Sequence, residues 1–313
     1  MSNHFRDKKR YYALSDFLKQ KFNCRVFKVS VNAGFTCPNR DGTKGTGGCI
    51  YCSQSSLISQ GVAEGAGIKE QIERGIEYAK KRHGAERFLA YFQINSNTYA
   101  EKDVLKRLYT EAIEHPLIAG VAVSTRPDCI DKGIIAVLSE LSEKKFLWLE
   151  LGLQSAKDST LNLINRCHTV DVFTSAVELA RDGCIPVCAH IILGLPGETR
   201  DDMLYTARFL ANTDIWGIKL HNLHVHSGTK LEEMYRQGKV RLLDIEEYAS
   251  IVVDFLEMIS PETVIHRLCT DTSQRFLIAP SWSANKFMVI DRIHRIMEER
   301  DTQQGAKYFC NRV

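Results

Sequence analysis

The sequence predicts an α/β protein, a partial (βα)6 barrel of the TIM type followed by a C-terminal α/β extension. One observation is that short runs rich in Val, Ile, Leu and aromatic residues, which suit strands buried on both faces, alternate with stretches of helical period. Another is that this alternation repeats six times, and successive β-α units imply a parallel sheet with right-handed crossovers. A chain of 313 residues can bury a core of that size.

The strand predictions follow the runs rich in aliphatic and aromatic residues. They fall at Val26–Val31, Phe88–Ile94, Ile118–Ser124, Phe146–Leu151, Val187–Leu193 and Ile215–Leu220. The helix predictions follow the helical period, and charged pairs such as Glu70 and Arg74, four residues apart, mark a solvated face. They fall at Ile68–His83, Lys102–Ile113, Lys132–Leu141, Val172–Arg181 and Asp201–Ala211.

After Leu220 the alternation weakens. We expect one strand at Val264–Leu268 and helices at Leu231–Gln237, Asp244–Ile259 and Lys286–Arg300. No low-complexity linker divides the chain, so the domain organisation is read from the pattern alone. We predict a basic N-terminal helical segment (1–25), a (βα)6 core (26–220) and a C-terminal extension (221–313) that packs on the barrel.

The basic N-terminal segment has two interpretations. Eight basic and two acidic residues lie between Phe5 and Lys28, although the whole chain carries a net charge of only +3. Such a segment, with its aromatic residues, is able to meet a polyanion such as RNA. The interpretation that we favour is a solvated amphipathic helix, whose apolar side would consist of Tyr12, Leu14, Phe17, Leu18 and Phe22.

Composition excludes several classes of protein. The chain is 44% hydrophobic and 25% charged, as is ordinary for a globular protein. No segment approaches the roughly 18 uninterrupted apolar residues that span a bilayer, and the first residues lack the apolar region of a secretion signal. We therefore expect a cytoplasmic protein without a membrane partner. Its ten cysteines then indicate metal or redox chemistry rather than disulfides.

Three of these cysteines, Cys37, Cys49 and Cys52, share one long loop after the first strand. Eleven residues separate the first two and two residues separate the last pair, and glycines between them leave backbone N–H groups free to donate to sulfur. A structural zinc site normally has four protein ligands, whereas a four-iron cluster on three thiolates keeps one iron open to a small molecule. The loop therefore favours a reactive iron–sulfur cluster over a zinc site or three incidental cysteines.

Further motifs follow the later strands. They are the run 91–99 (YFQINSNTY), the run 152–155 (GLQS), the run 165–168 (NRCH) and the run 194–198 (GLPGE). Together with the cysteine loop they resemble the radical S-adenosylmethionine (SAM) superfamily, and the long first cysteine gap is similar to the branch that contains the Elongator catalytic subunit. The resemblance implies that the cysteines hold a [4Fe-4S] cluster. It also implies SAM-binding roles for Gln93, Asn95, Glu150, Gln154, Arg166, His190 and Gly194.

A narrower resemblance rests on the run 34–42 (GFTCPNRDG), the run 97–99 (NTY), the run 125–128 (TRPD), and the run 278–280 (IAP) followed by Trp282. These resemble a bacterial family of small radical SAM proteins that are related to the Elongator subunit but lack its acetyltransferase domain. The resemblance implies modification of tRNA wobble uridine. The implied reaction converts 5-carboxymethylaminomethyl-2-thiouridine to 5-aminomethyl-2-thiouridine. The implied partners are tRNA and a low-potential electron donor such as flavodoxin or ferredoxin.

Polar residues at or beyond the predicted strand ends are the candidates for contacts with the substrate, because a barrel gathers its catalytic loops at that mouth. Histidines there suit hydrogen bonding or proton transfer near neutral pH, and a second metal site lacks a carboxylate at ligand spacing. A lysine there suits an RNA phosphate. The candidates are Arg126, Asp128, Lys219, His221, His224 and His226.

Three functions stay open. The first is a radical SAM enzyme that cleaves SAM reductively to a 5′-deoxyadenosyl radical and modifies tRNA. The second is a radical SAM oxidoreductase acting on a small molecule such as a porphyrinogen. The third is a non-enzymatic RNA-binding protein with a structural zinc loop. The first accounts best for the long cysteine gap and the basic N-terminus, while the third leaves the SAM-like turns unexplained.

Overall fold

The computed structural model describes residues 9–53, 65–270, 272 and 274–309. The α/β class and the order of strand and helix are as predicted. The strands of these described residues are β1 (Val26–Val31), β2 (Arg87–Phe92), β3 (Ile118–Thr125), β4 (Phe146–Gln154), β5 (Val187–Leu193), β6 (Gly217–Asn222), β7 (Val225–His226), β8 (Val264–Arg267) and β9 (Leu277–Ala279).

The helices cover the outside of the sheet and its two ends. They are α1 (Leu14–Phe22), α2 (Ile68–His83), α3 (Lys102–Ile113), α4 (Lys132–Ser142), α5 (Asp158–Leu163), α6 (Val170–Asp182), α7 (Arg200–Ala211), α8 (Lys230–Arg236), α9 (Ile245–Met258) and α10 (Lys286–Glu299), with short 3-10 turns at Pro127–Cys129 and Ser281–Ala284. No helix in the described part of the chain is long and apolar enough to cross a membrane.

Seven strands form one parallel sheet, in the spatial order β1-β2-β3-β4-β5-β6-β8. The seventh strand comes from the C-terminal part of the chain, and Val264 pairs with Gly217 of β6. Because no ladder among the described strands joins β1 to β8, the barrel is open along that side. β7 and β9 form a separate antiparallel pair. The predicted strand at 264–268 is therefore part of the barrel wall, whereas β7, β9 and the six-residue α5 were not predicted.

The N-terminal helix α1 fills the barrel at the end where the strands begin. Leu14 and Leu18 are buried there among a cluster that includes Trp148 of β4. The residue before the helix, Ala13, forms an isolated bridge with Ile265 of β8, so the N-terminal segment partly covers the open side. This packing is that of the amphipathic helix. The uncharged side faces the barrel, and residues 1–8 of the basic segment lie outside the described residues.

The main hydrophobic core lies between the sheet and the outer helices. Its largest fully buried side chains include Tyr109 of α3, Phe173 of α6 and Phe88 of β2. The strands are buried on both faces, which is why they read as nearly continuous apolar runs. The residues that interrupt these apolar runs are polar side chains on the inner faces of the strands, and they line the inside of the barrel.

Candidate functional site

The cysteine loop follows β1 and is fixed to the turn after α5. Asn165, in the left-handed backbone region at φ 53°, donates from its side-chain amide to the Gly48 carbonyl at 2.8 Å. In return, the buried Asn39 donates to the Asn165 carbonyl at 2.6 Å. The Ile50 amide also donates to the Ile164 carbonyl at 3.1 Å. Two segments more than a hundred residues apart in sequence are thereby held as one surface.

Cys49 is the buried member of the cysteine trio, while Cys37 and Cys52 are partly exposed. The Arg166 guanidinium lies 3.5 Å from the Cys49 sulfur. Burial alone would raise the pKa of the Cys49 thiol, but the charges of Arg166 and Arg126 lower it overall. Burial raises the pKa of Cys52, against the charge of Arg40. A thiol that is poised toward thiolate is the form that binds iron.

Arg126 and Arg166 each have one buried nitrogen that finds no acceptor in the described part of the chain. Arg126 grips Asp128 with two nitrogens, at 2.8 and 3.0 Å, and donates to the Arg166 carbonyl at 2.7 Å. Arg166 donates to the Gly152 carbonyl at 2.7 Å. Arg126 Nη1 and Arg166 Nε are nevertheless buried without a partner among the described residues. Unsatisfied guanidinium donors beside the Cys49 sulfur suit an anionic group, so the residues present fit a cluster with a carboxylate ligand.

The glycine at 152 makes room for this arrangement. A Cβ there would lie 2.5 Å from Arg166 Nη2 and 2.6 Å from Gln154 Nε2, closer than real Cβ contacts allow. Gln154 itself has a φ of 75° and is nearly buried. Gly194 has a φ of 88°, and its amide lies 3.1 Å from the Met203 sulfur. The structure thus places Gln154 and Arg166 close together around Gly152, while the SAM contacts that the resemblance implied for them stay predictions.

The barrel encloses a cavity of about 1040 Å³ that reaches the cysteine loop. Tyr51 and Cys52 line the loop end of this cavity. Of the predicted residues, those that line its wall are Gln93, His190, Lys219, His221, His224 and His226. Arg126 and Asp128 lie beside Arg166 and are not among the lining residues described. Asn95 donates to the Phe35 carbonyl at 2.8 Å and thus supports the cysteine loop.

Glu150 lies at the centre of a charged network inside the barrel. Its side chain is fully buried, and its oxygens accept hydrogen bonds from Lys28 at 2.9 Å, Tyr91 at 2.7 Å, Lys219 at 2.8 Å and His190 at 2.8 Å. Burial alone would raise the pKa of Glu150, but Lys219 and Lys28 hold it well below its ordinary value. The resemblance implied a SAM contact here. What the structure shows is a carboxylate whose two oxygens already have protein partners.

The histidines of the cavity are neutral at physiological pH. Burial, followed by the charge of Lys219, lowers the pKa of His190 to about 4. Burial lowers the pKa of His224 to about 4, and its ring lies 4.4 Å from that of His226. Burial also lowers the pKa of His221 well below its usual range. Within the described ranges, no three His, Cys, Asp or Glu side chains are grouped to hold a single metal ion.

The lining residues that the sequence analysis missed include Lys28, Tyr91, His266 and Arg267. The signal for Lys28 was present, because Lys28 and Ser30 alternate with apolar residues along β1 and so share the inner face. Tyr91 lies in the run 91–99, in which the sequence analysis selected Gln93 and Asn95 and passed over the tyrosine. His266 and Arg267 had no local signal, since nothing in the sequence places β8 in the barrel wall.

Family models match nearly the whole chain. The model of the Radical SAM superfamily matches residues 37–210, and the model of the Radical SAM C-terminal domain matches residues 215–299. The chain therefore belongs to the radical SAM superfamily and is a radical SAM enzyme. That superfamily uses a [4Fe-4S] cluster and SAM.

Individual relatives are similar to the chain over different shares of their length. Bacillus subtilis YtqA is 38% identical over 304 residues, which cover 96% of this chain and 93% of that protein. The tRNA uridine(34) acetyltransferase of Dehalococcoides mccartyi is 26% identical over 193 residues, covering 61% of this chain but only 40% of that protein. The structure of Elp3 from the archaeon Methanocaldococcus infernus superposes with a TM-score of 0.67 at 18% identity, covering 89% of this chain and 64% of Elp3. The last match shows the shared fold.

Proposed function

We propose that this radical SAM enzyme modifies the wobble uridine of tRNA, removing the carboxymethyl part of 5-carboxymethylaminomethyl-2-thiouridine to leave 5-aminomethyl-2-thiouridine. In a balanced reaction the 5′-deoxyadenosyl radical would take a hydrogen atom from the carboxymethyl CH2, one further electron would return to the cluster, and water would hydrolyse the resulting imine, so that the carboxymethyl part leaves as glyoxylate. The observation that carries the proposal is the likeness to an enzyme named for uridine 34 of tRNA. Because the chain spans only 40% of that relative, the likeness supports tRNA uridine as the class of substrate. It does not support the acetyl transfer for which the relative is named.

The cavity supports a base as the group that enters. An enzyme acting on a base removes it from the stack into a pocket. The cavity of about 1040 Å³ is at the upper end of the range of ligand pockets, roughly 300–1,000 Å³, and so has room for a nucleoside beside SAM. It adjoins Cys52, which would place the base near the reacting end of SAM.

The residues take separate roles in this proposal. Cys37, Cys49 and Cys52 would hold the cluster, which when bound supplies the electron for reductive cleavage of SAM. Arg166 would orient the SAM carboxylate, since its guanidinium fork suits a carboxylate and its Nε has no hydrogen-bond partner within the described ranges. The neutral histidines would donate or accept hydrogen bonds without adding charge. The barrel wall would shield the reacting groups from water.

The test has two arms. Protein purified and reconstituted without oxygen is incubated with SAM and a reductant, and 5′-deoxyadenosine is measured with and without tRNA that carries 5-carboxymethylaminomethyl-2-thiouridine. Nucleosides of tRNA from a strain lacking the gene are analysed in parallel. We expect tRNA-dependent formation of 5-aminomethyl-2-thiouridine in the first arm and accumulation of the substrate nucleoside in the second.

Other outcomes would redirect the proposal. Formation of 5′-deoxyadenosine that a porphyrinogen stimulates and tRNA does not would favour a small-molecule substrate. Unchanged tRNA nucleosides in the deletion strain would reject the wobble-uridine assignment. Flavodoxin or ferredoxin as the electron donor, and a cytoplasmic location, belong to the same proposal and are tested by replacing the chemical reductant and by cell fractionation.

A further inference from the structure

The inner wall of the barrel carries more positive than negative charge. Lys28, Lys219 and Arg267 line the cavity, and the carboxylate that faces them from the described wall is Glu150. Lys219 is almost fully enclosed, with a side chain 5% exposed. The Lys28 side chain is 24% exposed and Arg267 is exposed, so only Lys219 is enclosed. A wall on which cations outnumber anions nevertheless attracts an anionic ligand.

Three residues of the cavity wall, on three adjacent strands, lie at the same height along the barrel. His190 of β5 pairs with Lys219 of β6, and Lys219 pairs with Arg267 of β8. His221 lies two residues beyond Lys219, on the same face and nearer the mouth. Strands β6 and β8 therefore present Lys219, His221 and Arg267 to the same part of the cavity.

Two of these side chains have unused hydrogen-bonding groups. His221 Nε2 is buried without a hydrogen-bond partner among the residues that the structure describes, and its ring lies 5.3 Å from that of His190. The Arg267 guanidinium makes no hydrogen bond or ion pair within the described part of the chain, although it lines the cavity. Lys219, by contrast, is held in place by Glu150 and Tyr91, at 2.8 and 2.7 Å. Among the described residues, the cavity wall thus combines the fixed ammonium of Lys219, the unpaired guanidinium of Arg267 and the imidazole of His221 with its unused Nε2.

We propose that Lys219, Arg267 and His221 form a subsite for a carboxylate of the substrate, with Glu150 as the positioning residue that fixes Lys219. This inference rests on the proposed function, whose substrate carries a carboxymethylamino group. A carboxylate on a flexible substituent is able to enter the barrel with the base, whereas a backbone phosphate stays with the polynucleotide outside. The charge of Arg267 is also felt at the pKa of His221, which burial and then Arg267 depress.

The binding test uses a small probe with the same chain of atoms. N-benzylglycinate joins an aromatic ring to CH2–NH–CH2–COO⁻. N-benzylglycinamide has a neutral carboxamide in place of the negatively charged carboxylate. Calorimetry on the reconstituted enzyme with saturating SAM should show the carboxylate binding at least about tenfold more tightly than the amide. Arg267→Gln and Lys219→Met should each abolish most of this preference. Because Arg267 is exposed, its variant should fold, and circular dichroism and iron content check that.

The matched control is Arg295→Gln, which removes one arginine charge from the exposed face of α10. It should keep the full preference for the carboxylate. Loss of the preference in this control would show a general effect of net charge and overturn the subsite. Equal binding of acid and amide by the wild-type enzyme, or displacement of the probe by inorganic phosphate at equal concentration, would also overturn the carboxylate assignment.

Turnover separates the subsite from the proposed function. An anticodon stem-loop carrying the carboxymethylaminomethyl group should be processed at least about tenfold faster than its amide, and Arg267→Gln should reduce that ratio toward one. Equal processing of acid and amide would reject the subsite and leave the tRNA function standing. Selective binding of N-benzylglycinate without any reaction on the stem-loop would support the subsite and reject the tRNA function.

Discussion

Arg166 lies where the cysteine loop, the fourth strand and the turn after α5 meet. It contacts the Cys49 sulfur on one side and the Gly152 carbonyl on the other. A single side chain therefore couples the electrostatics of the thiol to the geometry of the strand. Its position depends on the missing side chain at Gly152, which makes that glycine a sensitive point of the site.

We predict that Gly152→Ala displaces Arg166, because the added Cβ would lie 2.5 Å from its Nη2. The cost should be about 1–3 kcal/mol of unfolding free energy, as for other overpacked interiors, together with weaker SAM binding. Urea unfolding and calorimetry with SAM measure the two effects. Gly67→Ala is the control, since a Cβ at Gly67 meets nothing within 4 Å. Equal stability and SAM affinity in both variants would contradict the prediction.

Glu150 offers a second test at the residue scale. Glu150→Gln keeps the shape of the side chain but leaves Lys28 and Lys219 facing each other without an anion. We expect a loss of roughly 3–5 kcal/mol of unfolding free energy, because breaking a buried ion pair leaves an uncompensated charge. The matched change Glu140→Gln removes an exposed partner of Lys106 and should leave the urea midpoint unchanged. A stable Glu150→Gln protein would show that the network is not needed for folding.

At the scale of helices and strands, the sequence prediction was correct where the repeating pattern of apolar residues lies within a single segment. The strands from β1 to β6 and the helices from α2 to α4 lie close to their predicted ranges because burial on both faces and helical spacing can be read within one segment. The strand at 264–268 was also predicted, but its pairing with β6 depends on contacts across the chain. Cys37, Cys49 and Cys52 share one local loop, so the sequence alone singles them out as candidate cluster ligands, and that role stays a prediction. The places of His266 and Arg267 in the barrel wall depend on the pairing of β8 and could not be predicted in this way.

The packing of helix α1 favours the amphipathic-helix interpretation of the basic N-terminal segment over the polyanion-binding one. Leu18 is 5% exposed and packs in the cluster around Trp148, whereas Lys19 faces solvent. We predict that Leu18→Ala lowers the unfolding free energy by about 2–4 kcal/mol, as large-to-small changes in a core do. Lys19→Gln should change neither the stability nor the affinity for tRNA. Thermal unfolding and filter binding measure both, and a loss of tRNA affinity in Lys19→Gln would restore the polyanion interpretation.

At the scale of the whole molecule, the barrel keeps ionisable groups in its interior in states that the unfolded chain would not share. His190 and His224 have pKa values of about 4 because of burial, and burial lowers the pKa of His266 to about 3. An unfolded chain has histidines of ordinary pKa, near 6.5. Between pH 6.5 and about 4 the unfolded state therefore binds more protons than the folded state.

Stability should consequently fall as the pH drops from 6.5 toward 4, by up to about 1.4 kcal/mol per pH unit for each such histidine. Glu150 adds to this loss below its unfolded pKa, because its folded pKa is depressed and the unfolded chain takes up the proton first. Urea unfolding at pH 7.5, 6.5 and 5.5, under nitrogen, measures the slope. His224→Gln removes one of the titrating groups and should make the slope shallower. A slope that is flat in the wild-type protein would mean that water and ions reach these side chains freely, and the barrel would then lack the enclosed interior on which a carboxylate subsite depends.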